Sequence, residues 1–106
     1  MPMFWVLDED NNHVGTDDAK LFSAFLENIE NRLVAKTSVG NLRVSTVFLG
    51  MDHGFGMSTD PVLYETMCFG PDADEVEDLF DRYTTRELAL EGHKRIVEKA
   101  KEIEQS

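Results

Sequence analysis

The spacing of apolar and polar residues changes several times along the chain. Met3 to Leu7 is a short apolar, aromatic and β-branched run, followed by the polar cluster Asp8-Glu9-Asp10-Asn11-Asn12. That order predicts a strand turning back as a hairpin onto His13-Val14. Leu21, Phe22, Phe25, Leu26, Ile29 and Leu33 then recur at three- and four-residue steps, the stripe of an amphipathic helix. Thr16 stands as its N-cap, with Asp17 and Asp18 beside the positive end of the helix dipole, so a helix is expected over residues 17–31.

Val34 to Thr37 and Leu42 to Leu49 alternate around Ser38-Val39-Gly40-Asn41, which suits an antiparallel hairpin. Leu42, Val44, Thr46 and Phe48 share one face of the second strand, and Arg43, Ser45, Val47 and Leu49 the other. Gly50 to Pro61 reads as a glycine-punctuated loop. Val62 to Phe69 is a third strand, with Leu63, Glu65, Met67 and Phe69 opposite Val62, Tyr64, Thr66 and Cys68. Residues 71–82 are expected as a long acidic loop or a frayed helical turn around Val76, Leu79 and Phe80. Thr84 and Glu87 match a capping box, with Tyr83 and Leu88 as its hydrophobic staple. Ala89, His93, Ile96, Ala100 and Ile103, widened by Leu90 and Val97, form the stripe of a final helix. The expected fold is α+β, in the order β-α-β-β-β-α: a three- to four-stranded antiparallel meander with two helices packed on one face.

Composition narrows the classes. The chain has 106 residues, 42% hydrophobic, which fits one domain. Its 21 acids against 10 bases give a formal charge of −11. Residues 1–31 balance at −6 and residues 70–83 at −5, so two acidic blocks flank a neutral middle. Direct nucleic-acid binding is not expected, because phosphates call for a basic surface. No apolar run approaches membrane-spanning length, and the N-terminus lacks the pattern of a signal peptide. The single cysteine, Cys68, excludes an internal disulfide, which fits a reducing compartment.

Chemistry-bearing residues are few. In Gly50-Met51-Asp52-His53-Gly54-Phe55-Gly56, an Asp-His pair can orient a general base or bind a metal, with Phe55 as an anchor. The same segment also reads as a glycine-rich turn held by a hydrogen-bonded aspartate. Glu65, between Leu63 and Met67, is either a buried carboxylate that must be paired or have its pKa raised, or a solvent-facing one beside an apolar patch or dimer surface. His93 lies in the last helix's stripe, after Gly92, where it could reach Glu65 or His53, though such a histidine is more often a core residue bonded to a carbonyl. Asp52, His53, Glu65 and His93 are metal-suitable residue types, of which His53, His93 and Glu65 are weak candidates because their spacing matches no metal signature. No cofactor motif is present, and no residue is assigned a catalytic role. Asp72, Asp74, Glu75, Glu77, Asp78 and Asp81 form a candidate acidic surface for a basic partner.

The segment Arg43 to Gly56, then Leu63 to Gly70, then Arg82-Tyr83-Thr84-Thr85 and Gly92-His93, with Trp5-Val6-Leu7-Asp8 ahead of them, resembles a family of small tailed-phage and prophage proteins. The chain departs from that pattern at Ser58-Thr59-Asp60 and at Cys68. The resemblance implies expression in a host bacterial cytoplasm and adds Arg82 and Tyr83 to the interaction candidates. It implies no activity. The expectation is therefore a non-enzymatic phage accessory protein that binds a host or phage protein, with inhibition of host or defence machinery as one version and a homodimer as one arrangement. The rivals are a small-ligand or metal-binding protein, perhaps enzymatic, using Asp52, His53, Glu65 and His93, and a minor virion or assembly component.

Overall fold

A computed structural model describes residues 2–54 and 60–105. Phe4–Leu7 (β1) and His13–Thr16 (β2) form the expected antiparallel hairpin. Asp8 closes its turn by accepting the Asp10 and Asn12 N–H groups, both at 2.9 Å, and Asn11 takes a φ of 64°. Two helices follow, Ala19–Glu27 (α1) and Ile29–Arg32 (α2). A four-stranded antiparallel meander then runs through Leu33–Val39 (β3), Leu42–Phe48 (β4), Tyr64–Phe69 (β5) and Glu75–Tyr83 (β6), in that spatial order. The chain ends with Arg86–Gln105 (α3), which lies across all four strands.

The α+β class and the antiparallel meander match the sequence reading, while several details differ from it. The helix expected over 17–31 breaks at Asn28, whose backbone is extended and whose Oδ1 accepts the Glu30 N–H at 3.0 Å. Asp18, not Thr16, caps α1, because its Oδ1 accepts the Lys20 and Leu21 N–H groups. Nor does α1 lie beside α3 across the sheet. It packs on β1, stacking Phe22 on Phe4 at 4.4 Å, and reaches the sheet through Phe25, edge-on to Phe48 at 5.9 Å. The acidic stretch expected as a loop is mostly strand β6, paired with β5 from Tyr64↔Tyr83 to Phe69↔Glu75. At the start of α3 the cap falls one residue later than expected, at Thr85, whose Oγ1 accepts the Leu88 N–H at 3.1 Å.

Alternation decides which side of the meander is covered. Val44, Thr46, Phe48, Tyr64, Thr66, Cys68, Leu79 and Tyr83 face α3 and are buried. They form two apolar clusters. One gathers Val39, Leu42, Val44, Cys68 and Leu79 with Ile96, Val97 and Ala100. The other gathers Trp5, Phe48, Leu63, Tyr64 and Tyr83 with Ala89. The buried polar residues Thr46, Thr66 and His93 belong to neither cluster. Gly50 locks the hairpin to the sheet: the Trp5 N–H donates to its carbonyl at 2.8 Å, its φ is 76°, and a Cβ there would meet the Phe22 ring at 2.6 Å.

Candidate functional site

The residues singled out for chemistry separate onto two sides of the sheet. Glu65 and Thr66 are consecutive in β5, so their side chains point to opposite faces. Glu65 lies on the side away from α3, opposite Arg82 in the register, and its Oε2 accepts from Arg82 Nε at 2.9 Å. Glu65 therefore lies off the helix-covered face, but its side chain is only 13% exposed and its carboxylate is paired with Arg82.

His93 lies on the other side, 6% exposed. Its Nε2 is 2.8 Å from Thr37 Oγ1 and its Nδ1 is 2.7 Å from Thr46 Oγ1. Thr46 Oγ1 is in turn 2.5 Å from Thr66 Oγ1. A neutral imidazole donates from one nitrogen and accepts at the other, and the threonine hydroxyls rotate to match. Burial lowers the His93 pKa, so the ring is held uncharged. Both ring nitrogens are partnered in the core, by threonine hydroxyls where the sequence reading expected a carbonyl. Tyr83 lies beside this chain. Burial raises its phenol pKa and Thr66 opposes that rise, yet its hydroxyl has no well-formed hydrogen bond. The Tyr83 ring lies against Gly92, where a Cβ would overlap the phenol, and that close approach explains the glycine.

Asp52 and His53 serve the backbone. Asp52 Oδ1 accepts the Gly54 N–H at 2.8 Å and the Val62 N–H at 2.9 Å, pinning both ends of the loop. The His53 N–H donates to the Val62 carbonyl, and its Nδ1 lies 2.9 Å from the Met51 carbonyl, so Nδ1 carries the proton. Phe55 lies outside the described residues. Among the described residues no three His, Cys, Asp or Glu side chains group closely enough to hold a metal ion. Cys68 is buried, and burial raises its thiol pKa, which argues against a nucleophile.

The face of β3–β6 away from α3 is different in kind. Val47, Met67 and Phe69 are partly exposed there, with Phe80 48% and Leu33 39% exposed around them. Arg43 lies over the Phe69 ring at 5.6 Å and Arg82 over Phe80 at 5.0 Å. Lys36 joins Arg43 beside a depression that runs from Ile29 and Leu33 to Phe69. No described helix covers this surface. No family model, curated protein or solved structure matches the chain. Function is therefore argued from the surface itself.

The acidic candidates Asp72, Asp74, Glu75, Glu77 and Asp78 are exposed along the β5–β6 turn and β6, and Asp81 is partly buried, 3.5 Å from Arg95. They adjoin the uncovered face along its β6 border. The strand alternation had placed Glu65, Met67 and Phe69 together, so half of this surface was visible in advance. Phe80 is marked in the sequence only as an apolar position of the acidic stretch, and Lys36, Thr37 and Arg86 by no local pattern that distinguishes them from ordinary strand and helix-end residues.

Proposed function

We propose that this chain is a non-enzymatic binding protein that holds a protein partner on the uncovered sheet face. The observation that carries this reading is the character of that face. A solvent-facing side of an antiparallel sheet ordinarily alternates to polar residues, whereas Val47, Met67, Phe69 and Phe80 place apolar and aromatic side chains side by side there. Contiguous apolar surface rimmed by charge is the usual mark of an interaction site. Phe69 and Phe80, each overlaid by an arginine, are the anchors, since aromatic and arginine residues dominate interface energetics. The acidic β6 border selects a partner with basic residues beside its own apolar contact. The sequence resemblance supplies the biological frame, a phage accessory protein acting on host or phage machinery.

The test uses the tagged full chain and the double variant F69S/F80S. Both are presented to bacterial host lysate at low and high salt, and each captured protein is purified and titrated against both forms. The expected result is a direct partner that binds the wild-type chain, weakens with salt and loses at least tenfold in affinity to the variant, while the variant keeps its melting temperature. Equal affinity for the variant overturns the reading. Concentration-dependent dimerisation in sedimentation velocity, abolished by the same substitutions, reassigns the face to a second copy of the chain and overturns the foreign partner.

A further inference from the structure

On the helix side of the sheet, away from the uncovered face, a cleft of about 410 Å³ opens between the β1–β2 turn and the first turn of α3. Its volume falls within the roughly 300–1,000 Å³ of small-molecule sites. Asn11, Asn12 and His13 wall one side, and Tyr64, Arg86 and Glu87 the other. Arg86 Nη1 is sealed from solvent with no hydrogen-bond partner, and Arg86 makes none of the ion pairs among the described residues. A buried, unpaired guanidinium donor carries a desolvation penalty unless something supplies an acceptor. Tyr64 stands next to it with 1% of its surface exposed, and no described residue hydrogen-bonds its hydroxyl. Burial raises the Tyr64 phenol pKa, and the Arg86 charge opposes part of that rise. Two strong donors thus meet in one cleft, and no described residue is bonded to either the Arg86 Nη1 or the Tyr64 hydroxyl.

We propose that this cleft binds a small-molecule carboxylate, gripped by the Arg86 guanidinium and the Tyr64 hydroxyl. The guanidinium fork matches a carboxylate's two oxygens. The Arg86 and Glu87 N–H groups of α3 add to the donor set, because the first turn of a helix has no intrahelical acceptors for them and Thr85 caps only the Leu88 N–H. Charge selects carboxylate over phosphate. Among the described residues Arg86 is the one permanent cation in the wall, Glu87 lies beside it, and Asp8, Glu9 and Asp10 occupy the hairpin turn leading to Asn11. A monoanion matches the single guanidinium charge and is repelled less by these carboxylates than a phosphate dianion is.

The experiment is an amide NMR titration of the full chain with benzoate, in parallel with inorganic phosphate and with chloride at the same ionic strength. Benzoate is expected to give saturable shifts at Arg86, Glu87 and His13, with phosphate at least tenfold weaker and chloride giving none. Removing a charged hydrogen-bonding partner weakens binding roughly tenfold or more. R86Q should therefore abolish saturation in the accessible range, R86K should keep the charge but bind more weakly, and Y64F should bind several-fold more weakly. Melting temperatures verify the fold of each variant, and Y64F with R86K decides the case if R86Q does not fold. Shifts that never saturate, an unchanged response in R86K and Y64F, or an equal response to phosphate overturns the proposal. Because F69S/F80S leaves this cleft untouched, the outcome is independent of the sheet-face reading.

Discussion

Gly92 offers a sharp test of the packing between α3 and the sheet, because two effects of opposite sign meet there. In an exposed helix interior, Gly92→Ala would stabilise by about 1 kcal/mol. Here the added methyl overlaps the Tyr83 ring, and Tyr83 is only 6% exposed, so the ring cannot tilt away without losing its place in the apolar cluster. Overpacking of this kind costs about 1–3 kcal/mol, and complete loss of a buried aromatic about 3–5 kcal/mol. The clash outweighs the propensity gain, and the expected net change is a destabilisation of about 1–3 kcal/mol. For domains near this size each kcal/mol moves the melting temperature by roughly 4–8 °C. Urea unfolding followed by the fluorescence of the one tryptophan, Trp5, and by circular dichroism measures it. The decisive comparison is the same substitution in a Tyr83→Ala background, where the space is vacated and Gly92→Ala should be neutral or stabilising. A higher urea midpoint for Gly92→Ala alone, or an equal penalty in both backgrounds, refutes the argument.

Three further outcomes are expected. Since the folded-state pKa of His93 lies below its ordinary value, the unfolded chain takes up the proton first; this contribution is complete above about pH 6.5 and is lost as pH falls below it, and urea midpoints at pH 8 and 5.5 should converge in His93→Gln relative to wild type. Thr46→Val should cost about 1–3 kcal/mol, since it strips partners from His93 Nδ1 and Thr66 Oγ1 in a sealed site, and should exceed Thr37→Val, whose half-buried position lets water replace the hydroxyl; a larger loss for Thr37→Val contradicts the assigned burial. Asp52→Ala should destabilise by about 0.5–2 kcal/mol through the Gly54 and Val62 N–H groups, with Asp52→Asn closer to wild type because it keeps an acceptor oxygen, and thermal melts of the two variants compare them directly.

Strands β3, β4 and β5 were legible because period-two alternation runs through them without interruption. Strand β6 was not. Asp78 adopts a left-handed φ of 69° within the register shift, where β6 carries three extra residues between Phe80 and Glu75 relative to Met67 and Phe69 of β5, so that Val76 and Leu79 both face inward. The apolar positions 76, 79, 80 and 83 consequently fall at helical steps, although Leu79, Asp81 and Tyr83 alternate as a strand. The first helix was over-extended for a related reason: Ile29 and Leu33 continue the stripe, but Asn28 breaks the backbone and Ile29 is left 70% exposed. For the site, alternation separated Glu65 from Thr66, whereas the meeting of His93 with Thr37 and Thr46 depends on how α3 crosses the sheet. The Arg86–Tyr64 pairing lies beyond sequence pattern, because it joins a helix start to a strand start twenty-two residues away.

The kinked, carboxylate-rich outer strand has a consequence for the molecule's behaviour in a crowded cell. A straight outermost strand offers its free amides and carbonyls to any passing extended chain, and sheets grow by such additions. With Asp78 bending β6 and negative side chains spaced along it, a second molecule finds neither the geometry nor the charge to extend the ladder. The protein can therefore keep a greasy flank open to its surroundings without growing fibres through its β6 edge.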